Sequence, residues 1–219
     1  MKEEFKCPAC YNTSVENVLL DVNICNRCMH LFTPQKVIHN ETVDNTKTNI
    51  MRANRLGKYG MKKKVLIIGP IDENLFQEVE ILTRHRIDNA PYNFELNDSF
   101  ATYDIIAFFN CLEFVNNPTE RLEFIKKYLN KDGLIMFEIP TMLFSQIEVG
   151  PTDFYSGKQC QYFTQDSILE MLKKAGLKII EQENYWNCKI ANSFVVCCKD
   201  VEFNNIIKKS HTMRYGGTW

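Results

Sequence analysis

Three uninterrupted apolar runs stand out from the polar background of this chain: Lys64-Val-Leu-Ile-Ile68, Tyr103-Asp-Ile-Ile-Ala-Phe-Phe109 and Leu134-Ile-Met-Phe-Glu-Ile139. None alternates polar with apolar, as a strand with one wet face would. They read as strands of a parallel sheet covered on both faces. Between and after them the period changes. Asn117-Pro118 suits the N-cap and first position of a helix, with Leu122, Ile125, Tyr128 and Leu129 on one face. Asp132-Gly133 predicts a turn before the third run. A second helix is predicted from Gln165 to Ala175, capped by Thr164 and stopped by Gly176. Two last strands, Leu177–Gln182 and Ser193–Lys199, are joined by a loop containing Tyr185-Trp-Asn-Cys188, with no helix between them. That predicts an antiparallel hairpin closing a doubly wound α/β sheet.

The segment before Lys64 has another character. Residues 5–33 carry two Cys-x-x-Cys pairs, and Gln35 to Asn49 is a polar stretch leading into a short helix at Ile50–Lys58. The organisation expected is a zinc ribbon over 1–34, a linker and short helix over 35–59, an α/β domain over 60–203 and a tail over 204–219.

Cys7-Pro-Ala-Cys10 and Cys25-Asn-Arg-Cys28 are separated by 14 residues. Two residues between cysteines let a tight turn aim both thiolates at one ion, and the spacer lets a hairpin bring the second turn opposite the first. Cys7, Cys10, Cys25 and Cys28 would then close a tetrahedral Zn2+ site with no open position, hence a structural one. A redox pair would stand alone beside a βαβ unit. His30 and His39 are not needed as ligands and are expected on the surface. Cys111, Cys160, Cys188, Cys197 and Cys198 share no spacing and read as reduced core residues.

Composition narrows the class. The chain has 219 residues, 45% hydrophobic and 24% charged, with net charge −1. Such balance gives no global pull toward nucleic acid. No run of about 18 apolar residues is available to span a bilayer, and Met1–Lys6 lacks the apolar core of a signal peptide. A cytoplasmic protein without membrane partners is expected.

Cys25-Asn-Arg-Cys-Met-His-Leu-Phe-Thr-Pro34 resembles the second zinc knuckle preceding some bacterial class I S-adenosylmethionine (SAM) methyltransferases, a group that includes sugar C-methyltransferases. Tyr103–Pro118 resembles the fourth strand and following loop of those enzymes. Lys131–Pro140 matches their fifth strand, and Tyr162–Gly176 the helix entering the sixth. The resemblance covers residues 5–34 and 60–200. It implies a Rossmann-like fold ending in an antiparallel seventh strand, with SAM beside Gly69, Asp88, Asn110, Cys111 and Leu112. Glu113 would stand near the transferred methyl as a general base, where relatives often place Leu-Glu-His and this chain has Leu112-Glu-Phe114.

Two departures matter. The glycine-rich turn after the first strand is reduced to Gly69, with Pro70, Ile71 and Glu73 where further glycines or backbone donors would meet the cofactor, and Ile67 replaces the acidic residue usual in that strand. Only about 34 residues separate Gly69 from Tyr103, too few for two full helix–strand units. One unit is expected to be lost or shrunken. Two functions follow from the resemblance. One is a SAM-dependent methyltransferase acting on a sugar or other small metabolite, a sugar nucleotide among the candidates. The other is a non-catalytic methyltransferase-like scaffold that binds a protein partner.

Overall fold

The computed structural model describes residues 6–19, 22–33, 46–69, 73–91, 102–142, 159–187, 190–204 and 206. The chain forms β1 (Val15–Leu19), β2 (Val22–Cys25), β3 (Leu31–Phe32), α1 (Thr46–Gly57), β4 (Lys64–Ile68), α2 (Glu73–Thr83), β5 (Arg86–Ala90) and β6 (Tyr103–Phe109). It continues with α3 (Pro118–Ile125), β7 (Leu129–Pro140), β8 (Gln161–Tyr162), α4 (Gln165–Lys174), β9 (Leu177–Asn187) and β10 (Ile190–Lys199). The runs at 64–68 and 103–109 are strands over the range expected. The tail from 207 onward, His39 and residues 70–72 lie outside the described residues.

Six strands build the central sheet in the order β5-β4-β6-β7-β10-β9. β5, β4, β6 and β7 run parallel, while β10 is antiparallel to both β7 and β9. The C-terminal hairpin thus forms as expected, although its strands run further than the apolar pattern and absorb Tyr185–Asn187 into β9. β5 is the outer strand among the described residues. Twelve residues separate Ala90 from Tyr103, and 92–101 of them lie outside the described residues.

Because both faces are covered, each strand feeds two cores. Val65, Ile67, Ala107, Phe109, Phe194 and Val196 face α1 and α2 through Ala53, Leu56, Leu75 and Val79. Leu66, Ile68, Phe108, Phe137 and Val195 face α3 and α4 through Leu122, Ile125, Ile168 and Met171. The Thr164 side chain accepts from the Ser167 amide in a capping box, and Gly176 leaves the helix at φ +66°.

Two local expectations are corrected. Asp132-Gly133 does not end an element; it sits in a bulge of β7, whose register against β6 jumps from Tyr103↔Leu129 to Ile105↔Leu134. Asp132 has φ +60°, and Asn130 Nδ2 ties the bulge to Asp104 Oδ1 at 3.0 Å. The helix at Pro118 stops at Ile125 and tightens into a 3-10 turn over Lys126–Tyr128, so Leu129 already belongs to the strand.

The N-terminal ribbon is stitched to this body. β1, β2 and β3 form an antiparallel sheet completed by β8, with Leu31 opposite Tyr162 and Phe32 opposite Gln161. Thr119 Oγ1, at the start of α3, shares its proton between the carbonyls of Pro8 and Ala9, each 2.8 Å away. His30 is fully buried rather than exposed, between Phe32 and Phe163 and hydrogen-bonded to Gln161 at 2.7 Å. The sequence could not supply the reason: the residue that satisfies its ring nitrogen is far along the chain.

On the other face α1 docks through charge. Arg52 Nη2 lies 2.7 Å from Glu138 Oε1 and Arg55 Nη1 3.4 Å from Oε2, with Arg52 and Glu138 both essentially inaccessible. A buried pair is costly to break from one side, because the surviving charge stays desolvated. Glu138→Ala should cost about 3–5 kcal/mol in chemical denaturation. Arg27→Ala, which removes the half-exposed pair with Glu170, should cost under about 1 kcal/mol.

Candidate functional site

Four sulfurs converge where the ribbon meets the body. The Sγ atoms of Cys7, Cys10, Cys25 and Cys28 all lie within 4.8 Å of one another and all four residues are buried. Cys7–Cys28 and Cys10–Cys25 separations are 3.7 and 3.6 Å. Metal–sulfur bonds of about 2.3 Å give a tetrahedron with edges of about 3.8 Å, so the quartet has the size of a thiolate zinc site. The Cys28 contact holds Cys7 down to about 5, while the same contact and burial push Cys28 up. The two sulfurs keep one proton between them, which a divalent cation would displace.

A second cluster lies at the carboxyl edge of the parallel strands, where open α/β sheets bind ligands. β4 ends in Gly69 at φ +111°, and a Cβ there would come within 2.9 Å of the Cys111 side chain. Cys111 is buried and donates to the Ile68 carbonyl at 3.1 Å, so this glycine is demanded by packing under the turn as well as by its φ. β6 ends beside it in Asn110, also left-handed at φ +47°, whose amide donates to the Glu138 carbonyl at 2.9 Å. A 3-10 turn over Leu112–Phe114 then buries Leu112 and Glu113.

Among the described residues, two oxygens of this edge are buried without a hydrogen-bond partner: Asn110 Oδ1 and Glu113 Oε2. Such acceptors are costly to bury unless a ligand completes them. Burial pushes the Glu113 carboxyl up to about 8, reinforced by the charge of Glu138 and opposed by Arg52. The chemistry available is an acid–base carboxyl beside an amide acceptor, in a site that favours donor or cationic groups.

Gly69, Asn110, Cys111, Leu112 and Glu113 are therefore brought together. Asp88 stands apart: its carboxylate accepts from Tyr103 Oη at 2.9 Å and lies 3.9 Å from Lys64 Nζ, and both partners open their strands at the opposite edge. Its neighbour Asn89 reaches the site instead, donating to the carbonyls of Ile67 and Gly69 at 2.9 and 3.0 Å. Of the residues that stand in the reduced glycine turn, Pro70 and Ile71 lie outside the described residues, and Glu73 is described only as the first residue of α2. His85 is buried and accepts from the Lys63 amide at 3.0 Å, a structural contact.

Glu138, Arg52 and Arg55 were not singled out from the sequence. The available signal was one acidic residue inside the apolar run Leu134–Ile139, together with two arginines three apart on the short helix before β4. Arg52 lies over the Phe109 ring and Arg55 over those of Phe194 and Tyr185.

The model of the methyltransferase domain family matches residues 14–182. The chain belongs to that family. Its solved neighbours share the fold at low identity. A putative methyltransferase from Bacillus halodurans is 9% identical with a TM-score of 0.51, over 69% of this chain and 98% of its own. The cyclase SpnF is 11% identical with a TM-score of 0.50, over 75% of this chain and 86% of its own. LepI in complex with SAM is 15% identical with a TM-score of 0.46, over 73% of this chain; the methyltransferase-family chain described here covers 49% of LepI, about half its length. No curated protein sequence matches the chain. No helix among the described residues is long and apolar enough to cross a membrane.

The raised Glu113 carboxyl makes a stability prediction. Its folded pKa, about 8, lies above the ordinary 4.5, so between these values the folded chain holds a proton the unfolded chain has released. Stability from this group is fully present below about pH 4.5 and is lost as pH rises toward about 8. Urea titrations across that window should show wild type losing stability relative to Glu113→Gln. Parallel pH profiles for the two proteins would count against the raised pKa.

Proposed function

We propose that this chain is a SAM-dependent methyltransferase acting on a small metabolite, a sugar or sugar nucleotide being the favoured class. The observation that carries the reading is the pair of unsatisfied buried oxygens, Asn110 Oδ1 and Glu113 Oε2, beside Gly69 at the ligand-binding edge of a methyltransferase-family sheet. Asn110, Glu113 and the backbone around Gly69, Cys111 and Leu112 would hold the cofactor, which supplies an electrophilic methyl group when bound. Asp88 is left out of this proposal because its carboxylate is held by Tyr103 and Lys64 at the opposite edge; Asn89 is better placed.

Glu113 is the residue that would manage the acceptor's proton. Near neutral pH the buried carboxyl holds its own proton and could offer it to a bound ligand. As pH approaches 8 it loses that proton and can take one from a substrate hydroxyl. Transfer to a hydroxyl should therefore rise with pH through this range.

The zinc quartet is structural in this reading, since four thiolates leave no coordination position for substrate. The non-catalytic scaffold remains the second reading. It is favoured by the short connection after β5, which removes wall area beside the cofactor edge.

Two measurements test the proposal. Calorimetric titration with SAM and S-adenosylhomocysteine should give a Kd in the low micromolar range, about −8 kcal/mol, weakened roughly tenfold by Asn110→Ala through loss of one hydrogen bond. Absence of binding at millimolar SAM would leave the scaffold reading standing. Elemental analysis should find one zinc per chain, lost on combining Cys7→Ser with Cys28→Ser. Zinc retained by that double variant would refute the quartet.

A further inference from the structure

The loop that carries Asn110, Cys111 and Glu113 does not hold itself. Among the described residues its own backbone bonds run from the Phe114 and Val115 amides to the carbonyls of Cys111 and Leu112 at 3.1 and 3.2 Å. At its start the Asn110 amide is held by the Glu138 carbonyl and Cys111 by the Ile68 carbonyl; further along, the ties come from β8 and the ribbon it completes. The Cys160 amide donates to the Glu113 carbonyl at 3.0 Å. Gln161 Nε2 donates to the Asn116 carbonyl at 3.0 Å. Thr119, immediately after the loop, is tied to the first cysteine knuckle through Pro8 and Ala9.

Gln161 is the piece that spans both bodies. Its amide nitrogen is committed to Asn116, so its Oε1 faces His30 Nε2 at 2.7 Å as an acceptor, and the His30 ring carries the proton on that nitrogen. His30 follows the second knuckle by two residues, and its carbonyl accepts from the Cys25 amide at 2.9 Å. Gln161 is 2% exposed and His30 and Thr119 fully buried, so water cannot take the place of Gln161 at His30 or of Thr119 at the first knuckle, while Asn116 at the far end is exposed. Strand pairing adds to the connection: Gln161 lies opposite Phe32 in the ribbon sheet, and the Thr33 amide donates to the Cys160 carbonyl at 3.0 Å.

Four sulfurs this close repel one another as thiolates unless a cation holds them, so metal binding and the fold of β2 and β3 are coupled. We infer that Gln161 is a positioning residue that transmits the fold of the metal-bound ribbon to the Glu113 loop, so that metal occupancy sets cofactor affinity at a site the metal does not touch. The inference rests on the cofactor reading above for its affinity arm and on structure alone for its positioning arm. Gln161 replaced by a side chain of equal length without hydrogen-bonding atoms releases the exposed Asn116 carbonyl from its tie and leaves the His30 N–H buried and unmatched. The loop then has a reason to open locally while the sheet stays closed.

The test compares wild type, Gln161→Met and Thr119→Val by amide hydrogen exchange, zinc content and S-adenosylhomocysteine titration. Gln161→Met should keep one zinc per chain and its far-ultraviolet circular dichroism. Exchange across residues 111–117 should rise at least tenfold, with β4 and β6 unchanged, and affinity should fall at least tenfold. Thr119→Val, which cuts the separate tie to the first knuckle, should raise exchange in the same segment, and chelating zinc from wild type should do so before β4 opens. Unchanged exchange over 111–117 in both variants would overturn the inference, as would loss of zinc from Gln161→Met or faster exchange with undiminished affinity. Should wild type bind no S-adenosylhomocysteine, the cofactor reading fails by itself, and the exchange data still decide whether Gln161 positions the loop.

Discussion

Four cysteine sulfurs packed within one small sphere are the constraint from which the N-terminal half of this molecule takes its shape. Thiolates repel one another, and a ribbon of three short strands cannot bury enough apolar surface to hold them together. A divalent cation bound by the quartet would turn that repulsion into attraction and make the ribbon a solid body. The cysteines then sit in the same core as Leu112, Phe163 and Ile168, so the metal-binding unit is continuous with the α/β core rather than appended to it.

At the carboxyl edge the same low-dielectric surroundings act on two carboxyl groups with opposite results. Glu138 is matched by Arg52 and Arg55, which compensate its burial. Glu113 has no such partner and faces the charge of Glu138, so burial keeps its proton on. Two acids a few residues from the ends of adjacent strands thereby take different roles, one anchoring α1 and one left to respond to a ligand. The arginines that make the difference come from α1, which joins the site only because the sheet folds beneath it.

The shortened connection between β5 and β6 has a cost at this edge. β5 is the outer strand among the described residues, and the carboxylate of Asp88 turns toward Tyr103 and Lys64 rather than toward Gly69. Asn89 closes the space by holding the carbonyls that end β4. A site trimmed in this way relies more heavily on the β6 side, and that side is where the ribbon lends its support.

Local patterns along the chain were enough to read the buried strands at 64–68 and 103–109, the capped helix at 165–174, the antiparallel closing hairpin and the cysteine quartet. Each rests on local physics: apolar runs bury wherever they are placed, caps and glycines act within a turn, and paired cysteines two residues apart meet one ion in any fold. Tertiary structure alone decided the burial of His30 against Gln161, 131 residues away, the pairing of Glu138 with Arg52, and the divergence of Asp88 from its neighbour Asn89. Which face a polar side chain presents depends on partners that no local pattern encodes, and the direction of a strand residue flips with each step along the chain. The ribbon's seat on the Glu113 loop belongs to this second class, because hydrogen bonds between segments more than a hundred residues apart exist only after the sheet has brought them together.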